Sequence, residues 1–469
     1  MLRYFYLILV FHISVAVGQE GNYKFENFGN QSVLLNGNVT GSVSDLGLTY
    51  YNPARLGLIE NPSFTVGGKA FQWSLYDFNN VLESNRSLSS NKFGGLPATI
   101  AGTFDLKQFP GHKFAYSILS RQRSEVDLGF DSGLREDLDE EDAILATEQL
   151  ADVYFKDRVR DDWFGLTWAY PISETLSVGA SVFASIYSND GRGDILLNAR
   201  TEEDQVITYV NRVDYRQRTY GAQIRLGAAW TLSKVEMGVN VSLPLIAVYK
   251  KASFRFKESL SSTAPGNGFI TDFNNDDLEN RRKTALGIAY GIGYPWKNHT
   301  LHFNLDWHAS VGAYDRITIP DDALEDLEEN PFKEELRPVL NFGMGGEFYV
   351  SPSINVIGSF STDFSASKRS INLFDFVNQS TDEINLIDDL WHFAAGLDLH
   401  RPWGNIIVGT SYARSQITVG TAPRIPEESL SVQPRNISTD ISYERWRFII
   451  GIEIPIITEK IQGVPIPIK

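Results

Sequence analysis

Along much of this chain, apolar and polar residues alternate one for one. From Leu301 to Gly312, Leu301, Phe303, Leu305, Trp307, Ala309 and Val311 fall on one face. His302, Asn304, Asp306, His308, Ser310 and Gly312 fall on the other. Successive strand side chains point to opposite faces, so this period predicts a β-strand with one apolar and one polar side. The same alternation recurs at Leu176–Ile186, Val235–Leu243, Ala285–Tyr294, Trp391–Leu399 and Trp446–Ile454. One face suits lipid and the other a wet lumen.

The breaks between these runs come in two lengths, and the lengths alternate. Short turns are predicted at Lys107–Gly111, Pro171–Ser173, Thr231–Lys234, Pro295–Asn298, Val350–Pro352 and His400–Gly404. Long polar segments are predicted as loops near 74–96, 131–160, 188–216, 258–282, 315–336, 364–389 and 415–443. Short turns on one side and long loops on the other are the pattern of an outer-membrane barrel, here with about fourteen strands. The predicted fold is therefore an all-β transmembrane antiparallel β-barrel over residues 62–455. Trp163, Trp296, Trp307, Trp391, Trp403 and Trp446 sit in or near predicted strand ends, where aromatic girdles form.

Residues 1–18 read as a cleaved signal peptide: Arg3, an apolar run from Tyr4 to Val17, then Ala16 and Gly18 at a small-residue cleavage site. That export, with the barrel pattern, predicts the outer membrane of a Gram-negative bacterium. Cysteine is absent, which excludes thiolate catalysis and cysteine-based metal sites. The net charge of −16 argues against nucleic acid as a partner. Ser, His and Asp residues are available for hydrolysis, but no local signature marks a catalytic set, and the chain does not read as an enzyme.

Residues 19–61 break the alternation and carry many Gly, Asn and Ser residues, with Leu46, Leu48, Leu56 and Leu58 needing burial. A segment of this size ahead of a barrel has the lumen as its nearest refuge, which predicts an N-terminal plug. The run from Asp45 through Tyr50-Tyr51-Asn52-Pro53-Ala54 to Leu58 resembles the N-terminal hatch of the FadL/OmpP1/TodX outer-membrane transporters. That resemblance implies a fourteen-stranded barrel plugged by a hatch in which Asn52, Pro53 and Ala54 stand at the constriction. It implies passive, ligand-gated uptake of hydrophobic compounds such as long-chain fatty acids, released through a lateral opening in the wall. Its partner would be a hydrophobic small molecule or lipid; independently of the resemblance, the acidic loops are expected to face outer-membrane lipids and lipopolysaccharide.

The chain departs from that family at residues 456–469, a tail running past Pro465 and Pro467 to Lys469. Such a tail suits docking to another protein. The competing expectation is thus a FadL-like barrel serving as a non-transporting accessory subunit of an outer-membrane assembly or secretion complex.

The polar faces place Arg225, Glu236, Asp306, Glu347, Asp398 and Glu453 in the lumen, with His302, His308 and His392. Pairing or solvation accounts for most such charges. Arg225 could also hold a ligand carboxylate bidentately. The small residues Ala285, Gly287, Ala289, Gly291 and Gly293 predict close packing of the plug, or a pocket wall. Asp272, Asn274 and Asp276 start like a calcium loop, but the glycine such a loop needs is missing. His302 and His308 lie too far apart on a strand to share a metal, so no metal site and no cofactor follow.

Overall fold

The computed structural model describes residues 21–59, 63–79, 88–131, 135–136, 146–201, 204–263, 268–320, 330, 332–367, 388–420 and 438–455. The predicted signal peptide and the 456–469 tail lie outside them. Fourteen strands form the ring: β1 Ser63–Asn79, β2 Leu88–Phe104, β3 Lys113–Asp131, β4 Ala146–Ser173, β5 Leu176–Thr201, β6 Val206–Leu232, β7 Val235–Ser242, β8 Gly287–Trp296, β9 His299–His308, β10 Val339–Ser351, β11 Ile354–Asp363, β12 Leu390–Arg401, β13 Gly404–Gly420 and β14 Ser438–Pro455. Each pairs antiparallel with its chain neighbour. The first and last strands pair from Ser63–Pro455 to Asn79–Asp440, which closes the barrel and leaves it without an edge.

Lipid contact explains the outward face. Phe164, Leu166, Trp168, Phe303, Leu305, Phe393, Phe448 and Ile450 all point away from the lumen and are exposed. Among the described residues no helix is long and apolar enough to cross a membrane; the strands do so.

The wall is uneven in height. β4, β5 and β6 run for 28, 26 and 27 residues, whereas β7, β8 and β9 have 8, 10 and 10. A tilted strand needs only about 9–11 residues to cross a bilayer, so the long strands project well above it. This corrects the expected loops: residues 146–160, 188–201 and 206–216 are strand, and a hairpin of Ile246–Ser262 and Gly268–Leu278 extends the sheet beside β6. The residue pattern inverts there because water replaces lipid outside. The outward side carries cross-strand ion pairs such as Arg158–Glu125, Arg216–Asp190 and Arg255–Asp276. The inward side carries Phe155, Ile195, Tyr209, Phe254 and Phe256, packed with Phe25, Ile317 and Phe332 into an apolar core.

Asp272, Asn274 and Asp276 lie along one strand of that hairpin, where Arg255 binds Asn274 and Asp276. They form no calcium loop. The alternation ending at Val311 also overran: β9 stops at His308, and Val311 turns back into the mouth, buried beside Tyr314 and Leu336.

Candidate functional site: the N-terminal segment in the lumen

All but seven of residues 21–59 are buried, and they make their contacts with the inner wall. A segment so rich in polar groups can be buried only if those groups find partners. Asp45 supplies several. Its carboxylate accepts the N–H groups of Asn30 at 2.7 Å, Ser32 at 2.8 Å and Gly47 at 2.8 Å, and the Ser32 hydroxyl at 2.8 Å. These bonds tie residues 29–47 into one folded unit. Gly29 has φ +99°, and a β-carbon there would fall 2.6 Å from Asp45 Oδ1, so the loop requires glycine on both counts.

Asn52, Pro53 and Ala54 follow a one-turn helix, Leu48–Tyr51. Asn52 is extended, and its side-chain oxygen accepts the Ala54 N–H at 3.2 Å, capping the 3-10 turn Pro53–Leu58. Pro53 occupies the first position of that turn, where its missing N–H matters least. The Asn52 amide donates to the carbonyl of Thr40 at 2.8 Å and to that of Ala228 in β6 at 3.1 Å. One side chain therefore joins two parts of the segment to the wall.

The wall receives this triplet on glycines. A β-carbon at Gly227 would lie 2.3 Å from Asn52 Oδ1, one at Gly238 would lie 2.4 Å from Asn52 Nδ2, and one at Gly179 would lie 2.7 Å from the Ala54 nitrogen. Gly179 and Gly227 pair directly across β5 and β6, and Gly238 sits opposite Gly291 of β8. Gly291 in turn leaves room for the Gly41 backbone, and Gly293 for Ser42. The expected close packing on the small-residue row holds at these two positions. Gly287 and Ala289, higher on the same strand, instead line a cavity.

Arg225 and Asn240 stand above the glycines. Arg225 donates to the Tyr50 carbonyl at 3.0 Å, and Asn240 donates to those of Tyr50 and Tyr51 at 3.0 and 2.7 Å. They satisfy carbonyls that the helix end leaves free. The Arg225 guanidinium also lies 3.6 Å from the centre of the Tyr50 ring. Trp163 was expected in an outer girdle, but it is buried in the lumen, 5.9 Å from the Tyr50 ring and 5.1 Å from Phe183. Its outward neighbour Phe164 faces lipid instead.

The charged residues of the segment meet charges of the wall. Lys24 lies 2.7 Å from Asp306, Arg55 lies 2.8 Å from Glu236, and Glu26 lies 2.6 Å from Arg447. Gln31 bonds Asp398, and Ser42 bonds His302, whose other ring nitrogen is 3.1 Å from Glu347. Tyr23 stacks on His308 with ring centres 3.7 Å apart. The lumen positions predicted for Glu236, Asp306, Glu347, Asp398, His302 and His308 are thus occupied as expected, and mostly paired. Lys24, Tyr50, Arg225 and Asp306 also border a cavity of about 50 Å³. An apolar cavity that admits benzene measures about 150 Å³, so this polar one is too small for a hydrocarbon in this conformation. Among the described residues no group of three or more His, Asp or Glu is arranged to hold a metal.

The bonding role of Asp45, the inward place of Trp163, and the contacts of Asn240 and the three receiving glycines were not legible in the sequence. Glycine at an inward position of β5, β6 or β7 was the available signal. It becomes legible only once the register between those strands is known.

No family model and no curated protein matches the sequence. Solved structures do. The fold is similar to that of a FadL homologue from Pseudomonas aeruginosa, with a TM-score of 0.55 and 10% identity over 94% of this chain and 100% of that one. It is equally similar to the toluene transporter TodX of Pseudomonas putida, with a TM-score of 0.55 and 11% identity over 92% and 99%. The toluene transporter TbuX of Ralstonia pickettii follows, with a TM-score of 0.50 and 14% identity over 92% and 98%. At such identities the likeness is one of fold, and the chain has the fourteen-stranded barrel fold of the FadL/TodX channels.

Proposed function

We propose that this protein is an outer-membrane channel for passive uptake of hydrophobic compounds, gated by residues 19–61 acting as a hatch. The observation that carries this reading is the vertical order of the interior. An apolar core built around Phe25, Phe254, Phe256 and Phe332 lies above the bilayer. Directly beneath it, the segment is held on glycines and hydrogen bonds at Asn52-Pro53-Ala54. A hydrophobic molecule would partition into the upper interior and bear on Phe25, whose carbonyl accepts bonds from Arg445 and Arg447. Displacing that stretch of the segment would loosen the hatch and open the way to the wall. Toluene transporters among the structural neighbours support a small hydrophobic cargo, and long-chain fatty acids remain within the same class. Arg225 would release the Tyr50 carbonyl on opening and become free to meet a ligand carboxylate.

The test is uptake by liposomes containing the purified protein, with toluene, oleate and a sugar as solutes. Uptake of toluene or oleate above protein-free liposomes, without sugar uptake, is expected. No uptake of either hydrophobic solute would sink the proposal.

A second reading has one specific observation behind it. The segment's charges Lys24, Glu26 and Arg55 are each paired with the wall, which favours a permanently closed barrel serving as an accessory subunit. That role predicts a protein partner co-purifying at fixed stoichiometry.

A further inference from the structure

The outward face of the wall carries a level at which like charges sit side by side. Arg123 of β3 pairs with Arg160 of β4, Arg160 with Ser188 of β5, Ser188 with Arg218 of β6, and Arg218 with Lys251 of the hairpin. Like charges directly across a sheet destabilise it. The level above obeys the opposite rule: Glu125, Arg158, Asp190 and Arg216 alternate in sign, with ion pairs at 3.1 and 2.7 Å. Arg123 reaches Asp162 and Lys251 reaches Asp277, but Arg160 and Arg218 make no ion pair among the described residues. A local rule broken without internal compensation points to an external partner.

The height of this row names the partner. Tyr220 and Tyr249, one step below Arg218 and Lys251, stack with ring centres 5.0 Å apart and face outward. Ile186 lies below Ser188 and is exposed on the same face, with Val182 and Leu226 further down. Apolar residues capped by tyrosines mark the edge of the hydrocarbon, so the cations stand at the headgroups. They stand on the long-strand side of the barrel, away from the short turns, and therefore in the outer leaflet. Arg160 and Arg218 are two strand spacings apart, about 10 Å, with the Ser188 hydroxyl between them. A phosphate over Ser188 would meet both guanidinium groups.

We propose that Arg160 and Arg218, flanked by Arg123 and Lys251 and with Ser188 between, bind a phosphate group of lipopolysaccharide. The site rests on the outer-membrane placement and not on the cargo, so absence of transport would leave it standing. The experiment compares the full-length protein, purified in mild detergent from outer membranes, with R160E/R218E. A second comparison is K107E/R401E, which makes the same charge change at the opposite, short-turn end. Mass spectrometry reads the lipopolysaccharide retained per barrel. Retention at least about tenfold lower in R160E/R218E, and unchanged in K107E/R401E, is expected. Lipopolysaccharide added to the delipidated protein should raise its melting temperature, whereas phosphatidylglycerol should not, and R160E/R218E should respond to neither. Equal retention by R160E/R218E, or an equal response to phosphatidylglycerol, overturns the site. If R160E/R218E lacks the heat-dependent gel shift of a folded barrel, R160Q/R218Q is read in its place.

Discussion

Gly227 of the wall lies against Asn52 of the lumen segment so closely that a single added methyl group would stand 2.3 Å from the Asn52 side-chain oxygen. The contact joins the triplet that marks the segment in the sequence to a position that looks, in sequence, like any strand glycine. Replacing Gly227 by valine should expel Asn52 from its place between Thr40 and Ala228. A raised, unstable conductance in planar bilayers is the expected readout, with a barrel that still closes. Overpacking of this kind costs about 1–3 kcal/mol, which a well-closed barrel tolerates. A G227V protein with wild-type conductance would show that the segment does not gate the lumen.

Lys24 and Asp306 form a nearly buried ion pair at 2.7 Å, with side chains 9% and 13% exposed. Removing one partner strands the other charge, at about 3–5 kcal/mol for a fully buried pair. D306A should therefore speed proteolysis within residues 21–59. K24M/D306L, which removes both charges, should restore most of the protection. Equal protection of D306A and wild type would mean that the pair does not hold the segment.

Arg225 and Asn240 share the carbonyls of Tyr50 and Tyr51. N240A leaves Arg225 in place and should loosen the segment by about 1–3 kcal/mol. R225M should do the same and, if the guanidinium also meets a ligand, lower oleate uptake more than toluene uptake. Equal loss of both solutes would confine Arg225 to holding the helix end.

Asp157 lies in the part of β4 above the lipid belt, near Arg316 and within 3.1 Å of the Tyr215 hydroxyl. Burial raises its pKa to about 6, against the opposing pull of the Arg316 charge and its hydrogen bonds from Tyr215 and Asn189. A carboxyl group whose pKa is higher folded than unfolded contributes stability at low pH. That contribution is lost as pH rises from about 4 through about 6. The upper half of the barrel should accordingly be more stable at pH 5 than at pH 7.5, by at most about 1.4 kcal/mol. Thermal melting should show this slope in the wild type and a flatter one in D157N. An unchanged slope in D157N would assign the titration elsewhere.

The lipid-facing half of this protein was legible in its sequence. Alternation survives wherever one face must meet hydrocarbon, since a single slipped residue would turn a whole strand inside out. Leu301 to Trp307 and Trp446 to Ile454 therefore announced their faces, and the short turns between such runs counted the strands. The turn at Asn52-Pro53-Ala54 was also local in origin, because proline fixes its own backbone and the asparagine caps the residues that follow. Above the bilayer the alternation no longer marks the same faces. Once water lies outside, the polar residues move to the outer face, and strands such as β5 from Ser188 to Thr201 read as loops. Tertiary structure alone decided the rest. Trp163 meets Tyr50 and Phe183 inside the ring, contacts that no local pattern relates. Gly179, Gly227 and Gly238 become one notch through the register of β5, β6 and β7, and Lys24 meets Asp306 because the segment folds into the ring; local pattern relates neither set.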